Sequence, residues 1–204
     1  KIHRGEVLGL GGLVGAGRTE FAELMFGMKP KTAGKFIFKG KEISPKTPKD
    51  AIELGIGLVP EDRKKEGALL GMSIRCNINM PIYPKISSGT VIDTKKENEI
   101  AKKYKEEISI KTPNLEQLVK NLSGGNQQKV ILAKWLAADS DILIFDEPTA
   151  AMGVNESNAV LSLIKRLANQ GYAVIVISHN MPQVFHVSDR ICVMRQGRVM
   201  KELK

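Results

Sequence analysis

The stretch Val7-Leu-Gly-Leu-Gly-Gly-Leu-Val-Gly-Ala-Gly-Arg-Thr19 decides the fold of this 204-residue chain. Its first part, Val7 to Gly11, is typical of a short buried strand, and the glycines that follow turn the strand into a loop. From Thr19 to Phe26 the apolar residues recur at helical spacing. A strand, a glycine loop and a helix in this order form the frame of a phosphate site, because loop N–H groups and the positive helix end face one point.

The glycine loop fits the phosphate-binding pattern G-x-x-x-x-G-K-[ST] from Gly12 to Thr19, except that Arg18 stands where lysine is usual. Glycines let successive backbone N–H groups point at phosphates, and the Thr19 hydroxyl is suited to Mg²⁺. A plain glycine turn between a strand and a helix is the alternative for this motif alone, because such turns are common.

A second motif ends the apolar run of residues 142–145 in two acids, Asp146 and Glu147. A strand of this composition is buried in a parallel sheet, so Asp146 is expected at the carboxyl edge, where α/β proteins bind ligands. Two adjacent carboxylates need a compensating charge nearby; Mg²⁺ held through water by Asp146, and a water activated by Glu147, would explain them. A solvated pair of acids at a strand end is the alternative.

A third motif, Leu122-Ser-Gly-Gly-Asn-Gln-Gln128, opens a helix expected from about Asn126. Backbone amides, the Ser123 hydroxyl and the positive helix end converge there, which predicts an anion site. An ordinary N-cap followed by a glycine hinge is the alternative.

The rest of the chain alternates strands and helices, which predicts an α/β fold around a largely parallel sheet. Helix starts are indicated by Thr47 followed by Pro48, and by Thr94 with Glu97 three residues on, a capping-box pattern. Strands are expected at 35–38, 57–59 and 173–177 and in a hairpin of 191–194 with 198–200; helices are expected from 48 to a stop at Gly55 and at 94–106, 126–138 and 155–169.

Composition narrows the class of protein. The chain is long enough for one well-buried core, and no stretch approaches the ~20 apolar residues of a membrane span, so we expect a soluble domain, at most peripheral on a membrane. Cys76 and Cys192 are read as reduced cytosolic thiols. The net charge of +9 fits nucleic acid, anionic lipid or polyphosphate. The lysines gather in 29–49 and 95–111, where they are interleaved with acids and few aromatic residues occur, which favours solvated surfaces.

The LSGG segment followed by Gln127-Gln128, ahead of an acidic strand end, resembles the signature motif of ABC-transporter ATPases. GLVGAGRTE, VPEDRKKEG and NLSGGNQQKV are similar to the second, C-terminal ATPase domain of bacterial monosaccharide importers of the ribose, galactose and xylose type, whose two ABC domains are fused. From Ala150 onward the sequence is closer to single-domain sugar-importer relatives, with Gly153 in place of the usual aspartate. A fused half and a homodimer mate therefore both stay open. The family's first strand and adenine-stacking aromatic are missing, which points to a trimmed chain or a late start.

The resemblance implies a P-loop NTPase fold of the ABC type, with a mostly parallel sheet core, an antiparallel β element and a helical subdomain. Residues 1–204 would form a single nucleotide-binding domain, with a core of about 1–62 and 137–204 and a helical subdomain of about 63–136.

The resemblance also assigns the site residues. Glu147 would be the general base and His179 the switch histidine, whereas His3 and His186 receive no role. The nucleotide-binding residues would be Gly12, Gly15, Ala16, Gly17, Arg18, Thr19 and Glu20, with Ser123, Gly124, Gly125 and Gln127 contributed to the nucleotide of a partner domain. Thr19, Asp146 and Glu61 would bind metal, Glu61 standing where the family usually has glutamine.

The implied function is an ATP-binding domain of a sugar importer that uses ATP and Mg²⁺. Its partners would be a second ABC domain, an integral membrane permease and, indirectly, a periplasmic or extracellular sugar-binding protein, on the cytoplasmic face of a bacterial membrane. The alternative is a catalytically degenerate domain that supplies LSGG to a partner's site, because Arg18 is wider than lysine and hydrolysis at its own loop would be slow. A nucleic-acid-associated ABC ATPase is disfavoured, since no heptad run or cysteine pair is present.

Overall fold

The computed structural model describes all residues from Lys1 to Lys204, which form two compact units. The first unit consists of Lys1–Leu58, Asp141–Glu147 and Ile164–Lys204, and the second of Val59–Ser140 and Pro148–Leu163. None of the helices combines the length and the apolar character that a bilayer crossing requires.

The strands are β1 (Val7–Gly11), β2 (Phe36–Phe38), β3 (Lys41–Ile43), β4 (Ile56–Val59), β5 (Ser87–Ser88), β6 (Val91–Ile92), β7 (Ile142–Asp146), β8 (Ala173–Ser178), β9 (Arg190–Arg195) and β10 (Arg198–Leu203). The helices are α1 (Arg18–Met25), α2 (Pro48–Glu53), α3 (Ile74–Asn79), α4 (Tyr83–Ile86), α5 (Thr94–Glu107), α6 (Gly124–Ala137), α7 (Val154–Asn169) and α8 (Met181–Val187). One turn of π-helix covers Arg63–Gly67.

Six strands form one sheet in the order β10-β9-β1-β8-β7-β4. The pairs β1–β8, β1–β9 and β7–β8 are parallel, and β10 returns antiparallel to β9. The central strands β1, β7 and β8 are buried along their whole length, as their unbroken apolar sequences predict. Small antiparallel pairs β2–β3 and β5–β6 complete the strands. The predicted α/β fold with a mostly parallel core and an antiparallel element is confirmed.

The first unit places two helix starts beside the sheet. Helix α1 packs against β7, and α8 packs against β1 and β8. Helix α2 begins as the Thr47-Pro48 pair predicts: the Thr47 hydroxyl accepts the Asp50 N–H, and the Asp50 carboxylate accepts the Thr47 N–H in return. The hairpin of β9 and β10 turns at Gln196 and Gly197, as expected.

The second unit is built on α3, α5 and α6, which pack on one another around residues such as Ile74, Ile78 and Val130. The capping box predicted from Thr94 and Glu97 is wrong. Asp93 is the N-cap residue of α5, its carboxylate accepting the Lys96 N–H. Glu97 is instead buried, where it pairs with Arg75 and accepts the Tyr83 hydroxyl at 2.7 Å. A tertiary ion pair has therefore taken the carboxylate that the local pattern assigned to the cap.

Helix α6 starts at Gly124, ahead of the Asn126 that periodicity indicated. Glycine weakens a helical pattern in sequence without preventing the first turn from forming, so the two glycines belong to the helix rather than to a hinge before it.

Candidate functional site

The glycine loop joins β1 to α1 and is held by the β9–β10 turn. Gly197 N–H donates to the Ala16 carbonyl at 2.9 Å. A Cβ atom on Gly17 would lie 2.9 Å from Gly197 Cα, and Gly17 has a φ of 91°, so both the contact and the backbone require glycine there. A Cβ on Gly15 would meet open space, which leaves room above the loop for a ligand.

Arg18 is the first residue of α1, and its side chain is 6% exposed. Its Nη2 donates to the Leu13 carbonyl at 3.4 Å and lies 3.8 Å from Glu147 Oε1. Its Nη1 is buried without a hydrogen-bond partner. A buried guanidinium N–H without an acceptor is costly, and an anion at the loop would remove that cost.

Glu147 follows β7 with a φ of 44°, a left-handed conformation that is uncommon for a residue with a side chain and that clusters at functional sites. Its Oε2 accepts the Ser178 hydroxyl at 2.9 Å, and its Oε1 accepts the His179 backbone N–H at 2.8 Å. The carboxylate is thus oriented from the end of β8, at the carboxyl edge of the sheet.

His179 combines contact with Glu147 and access to solvent. Its Nδ1 lies 2.9 Å from Glu147 Oε1, while its side chain is 62% exposed. The imidazole can therefore reach a ligand above the sheet edge while one nitrogen stays against the carboxylate.

The remaining predicted residues of the first unit surround this cluster. Asp146 ends β7 and is 3% exposed, on the strand against which α1 packs. Thr19 and Glu20 lie exposed in the first turn of α1. Parallel strands place their carboxyl ends at one edge, which is why residues after β1, β7 and β8 meet.

The second unit holds the Ser-Gly-Gly segment. Ser123 is the N-cap residue of α6, and its hydroxyl makes no capping bond but accepts Asn126 Nδ2 at 3.3 Å. Gln127 is buried, and its Nε2 donates at 3.2 Å to the carbonyls of Val119 and Leu122, so its amide nitrogen fixes the preceding turn. Glu61 is exposed before the π-helical turn.

Three side chains beside the predicted site residues were given no role in the sequence-based prediction. Ser178 orients Glu147, and the side chains of Arg63 and Glu156 lie against Gly124 and Gly125. No local pattern marks these residues, because each acts through a contact with a distant part of the chain.

A glycine loop at a helix start, beside two acids and a histidine at the carboxyl edge of a parallel sheet, defines a nucleoside-triphosphate-binding class of α/β protein. The sequence model of the family described as ABC transporter matches residues 1–150. This chain belongs to the ABC transporter family.

Similar proteins include a ribose import ATP-binding protein from Hahella chejuensis, 45% identical over 100% of this chain and 41% of that protein. A xylose import ATP-binding protein from Thermoanaerobacter pseudethanolicus is 43% identical over 100% of this chain and 39% of that protein. The chain thus spans about two fifths of the length of these relatives.

Solved structures agree with the fold. A dimeric ATP-binding cassette bound to ADP and Pi in a post-hydrolysis state has a TM-score of 0.83 at 21% identity, covering 100% of this chain and 87% of that chain. A nucleotide-free cassette has a TM-score of 0.82 at 21% identity, covering 98% and 81%.

Proposed function

We propose that this chain is the ATP-binding domain of an ABC importer for monosaccharides, coupling ATP binding and hydrolysis to uptake through a membrane permease. The observation that carries the proposal is the cluster of Arg18, Glu147 and His179 at the carboxyl edge of the sheet. The sugar class is supported by relatives whose names specify import of ribose, xylose or arabinose.

ATP binds with its phosphates over the glycine loop. Gly12, Gly15 and Gly17 present backbone N–H groups, and the start of α1 adds its positive end. The Ala16 N–H donates to the Leu13 carbonyl at 3.0 Å, so it would exchange that bond for one to a phosphate oxygen. The orphaned Nη1 of Arg18 supplies a charged donor for a phosphate oxygen. Glu20, which is exposed next to Thr19 in the same turn, is proposed to contact the nucleotide as well.

The donor set also fits Mg²⁺, since a threonine hydroxyl and a carboxylate are oxygen ligands of the kind this cation prefers. Thr19 and Asp146 would hold the ion, which would supply charge neutralisation for the phosphates. Glu61 is proposed as a further ligand of that ion.

Glu147 acts on the attacking water. Ser178 and the His179 N–H hold its two oxygens in place, and a carboxylate retains lone pairs for a further donor, so it can orient a water and accept its proton. His179, on the exposed side, positions the water or the γ-phosphate from the other flank. ATP hydrolysis at this site needs no covalent enzyme intermediate, because phosphoryl transfer depends mainly on positioning and charge.

The complete site requires a second ABC domain, either a fused half or a homodimer mate, since Ser123, Gly124, Gly125 and Gln127 belong to a segment proposed to face a partner's nucleotide. The chain would then act as a single nucleotide-binding domain at the cytoplasmic face of a bacterial membrane, against an integral permease. A sugar-binding protein on the other side would act through that permease.

The Arg18–Glu147 contact also favours a second candidate function, a degenerate domain that contributes Ser-Gly-Gly to a catalytic partner. Arginine is planar and wide where the loop normally closes around a compact ammonium, and it neutralises the carboxylate that should accept a proton.

Binding is tested by thermal unfolding with and without ATP and Mg²⁺. At an ATP concentration about 100 times Kd, stabilisation of about 2.7 kcal/mol is expected, and adenosine should give none. An unchanged unfolding midpoint would contradict the proposal.

Single-turnover hydrolysis on the bound chain then separates the two candidates, because the degenerate domain retains nucleotide without cleaving it. In the assembled transporter, turnover should rise when the binding protein is loaded with sugar, and insensitivity to sugar would remove the importer role.

A further inference from the structure

We infer that Arg63 is a further phosphate-binding residue of the Ser123-Gly124-Gly125 segment, acting on the nucleotide that a partner domain holds. This inference rests on the proposed function, because the segment has a nucleotide to bind only if two such domains pair. It adds a residue from the π-helical turn to a segment that lies far along the chain.

Arg63 lies directly against the start of α6. A Cβ atom on Gly124 would be 3.0 Å from Arg63 Nη2 and 3.4 Å from its Cζ. The guanidinium therefore rests on the first turn of the helix, in the space that a side chain at position 124 would share with it.

The guanidinium of Arg63 has no partner in the structure. The bonds that hold its turn are made by others: the Asp62 carboxylate accepts the N–H groups of Lys64 and Lys65, and pairs with the Lys65 ammonium at 3.3 Å. Arg63 itself is half-buried and forms neither an ion pair nor a side-chain hydrogen bond. A cation beside the positive end of a 14-residue helix repels it unless an anion lies between the two.

A carboxylate stands on the neighbouring residue. A Cβ atom on Gly125 would lie 3.7 Å from Cβ, Cγ and Cδ of Glu156. Glu156 forms no ion pair with Arg63, so the two glycines carry a cation at one residue and an acid at the next. Arg63 attracts a phosphate at this helix start, and Glu156 repels it. Neutralising Arg63 should therefore weaken phosphate binding, whereas neutralising Glu156 should not.

The buried Lys134 supports the turn that Arg63 begins. Its Nζ donates to the Gly67 carbonyl at 2.6 Å, at the last residue of the turn that Arg63 begins. A Cβ on Gly67 would lie 2.5 Å from Ile131 Cδ1, so the turn is packed tightly on α6. The guanidinium is thus presented on a supported turn rather than on a free loop.

The experiment follows ¹⁵N-glycine amide resonances of the chain while tripolyphosphate is added at low ionic strength. The resonances of Gly124 and Gly125 should shift in the wild type. In Arg63→Gln the same shift should require at least about tenfold more tripolyphosphate, the loss typical of a charge-assisted hydrogen bond. Arg63→Lys, which keeps the charge without the planar fork, should fall between them.

Glu156→Gln is the matched variant, because it removes a charge of opposite sign at the adjacent glycine. Glu156→Gln should leave the midpoint of the tripolyphosphate titration unchanged or move it to a lower concentration. If Arg63 only supported the local structure, both variants would bind tripolyphosphate more weakly, or Arg63→Gln would change its unfolding midpoint together with its binding.

Gly15 and Gly17 provide the internal reference, since their resonances report the chain's own phosphate loop and should respond equally in all variants. If the Gly15 and Gly17 resonances do not shift, the result counts against the proposed function alone. Silence of Gly124 and Gly125 in the wild type, or an equal response in Arg63→Gln, would overturn the role of Arg63.

Discussion

Nη2 of Arg18 lies 3.8 Å from Oε1 of Glu147, and both side chains are buried. The cation of the phosphate loop and the carboxylate proposed to activate water therefore neutralise one another without nucleotide. We expect a triphosphate at the loop to compete with Glu147 for the guanidinium, because Ser178 and the His179 N–H already hold the carboxylate in place. Under the proposed function, this contact would link nucleotide binding to release of Glu147.

Arg18→Lys is expected to raise turnover. The compact ammonium fits the loop and aligns with the transferred phosphoryl group, an effect worth up to about 100-fold in rate. The measurement is the turnover number of a properly paired dimer. Arg18→Gln, which removes the charge, should bind ATP more weakly; equal turnover of Arg18→Lys and wild type would show that arginine is not the limitation.

Glu147→Gln should reduce turnover by at least about 100-fold while ATP still binds, because the amide keeps the shape but cannot accept the proton. Stopped-flow hydrolysis and nucleotide binding measure the two properties. The exposed Glu53→Gln is the control and should hydrolyse normally. Hydrolysis at the wild-type rate in Glu147→Gln would assign the base elsewhere.

Glu147→Gln should also lower the free energy of unfolding in the absence of nucleotide by about 3 kcal/mol. The reason is that Arg18 is left as a buried charge without a counterion. ATP should restore most of that loss by supplying phosphate oxygens. Urea unfolding with and without ATP measures this, and a nucleotide-induced gain no larger than that of the wild type would speak against competition for Arg18.

Lys134 should make stability depend on pH. Burial lowers the pKa of its ammonium from 10.5 to about 8, so between these values the unfolded chain binds more protons than the native one. The cost, on the order of 3 kcal/mol, is fully present below pH 8 and is relieved as the pH rises toward 10.5.

Lys134→Met removes this titration. Urea unfolding at several pH values should therefore show the wild type gaining stability relative to Lys134→Met between about pH 8 and 10.5. The exposed Lys102→Met is the matched control and should follow the wild type. A constant difference between wild type and Lys134→Met across that range would mean that the ammonium is not destabilised by burial.

Glu97 should be far more important to stability than Glu99, although both lie on α5. Glu97→Gln weakens the contacts with Arg75 and Tyr83 and should cost about 1–2 kcal/mol, because Arg75 keeps its ion pair with Glu116. The exposed Glu99→Gln should stay within about 0.5 kcal/mol. Denaturant midpoints of the two variants give the comparison. Equal midpoints would show that the Glu97 contacts contribute nothing net.

Local pattern predicted much of the fold because the relevant information is short in range. Unbroken apolar runs mark β1, β7 and β8 as buried parallel strands, and the glycine loop between β1 and α1 is readable from spacing alone. Thr47 and Pro48 predict the start of α2, because the Thr47 hydroxyl caps the first turn and the fixed φ of Pro48 suits it, and both act within that turn. The roles of individual site residues stay predictions.

What the sequence by itself determined is the order of strands and helices, the glycine loop and the twin acids at the end of β7. Tertiary structure alone decided which side chains meet: Arg18 with Glu147, Glu97 with Arg75 instead of its own helix cap, and Arg63 with Gly124. The physical reason is that periodicity and capping act over one or two turns, whereas these contacts join residues on separate elements, whose distance is set by packing.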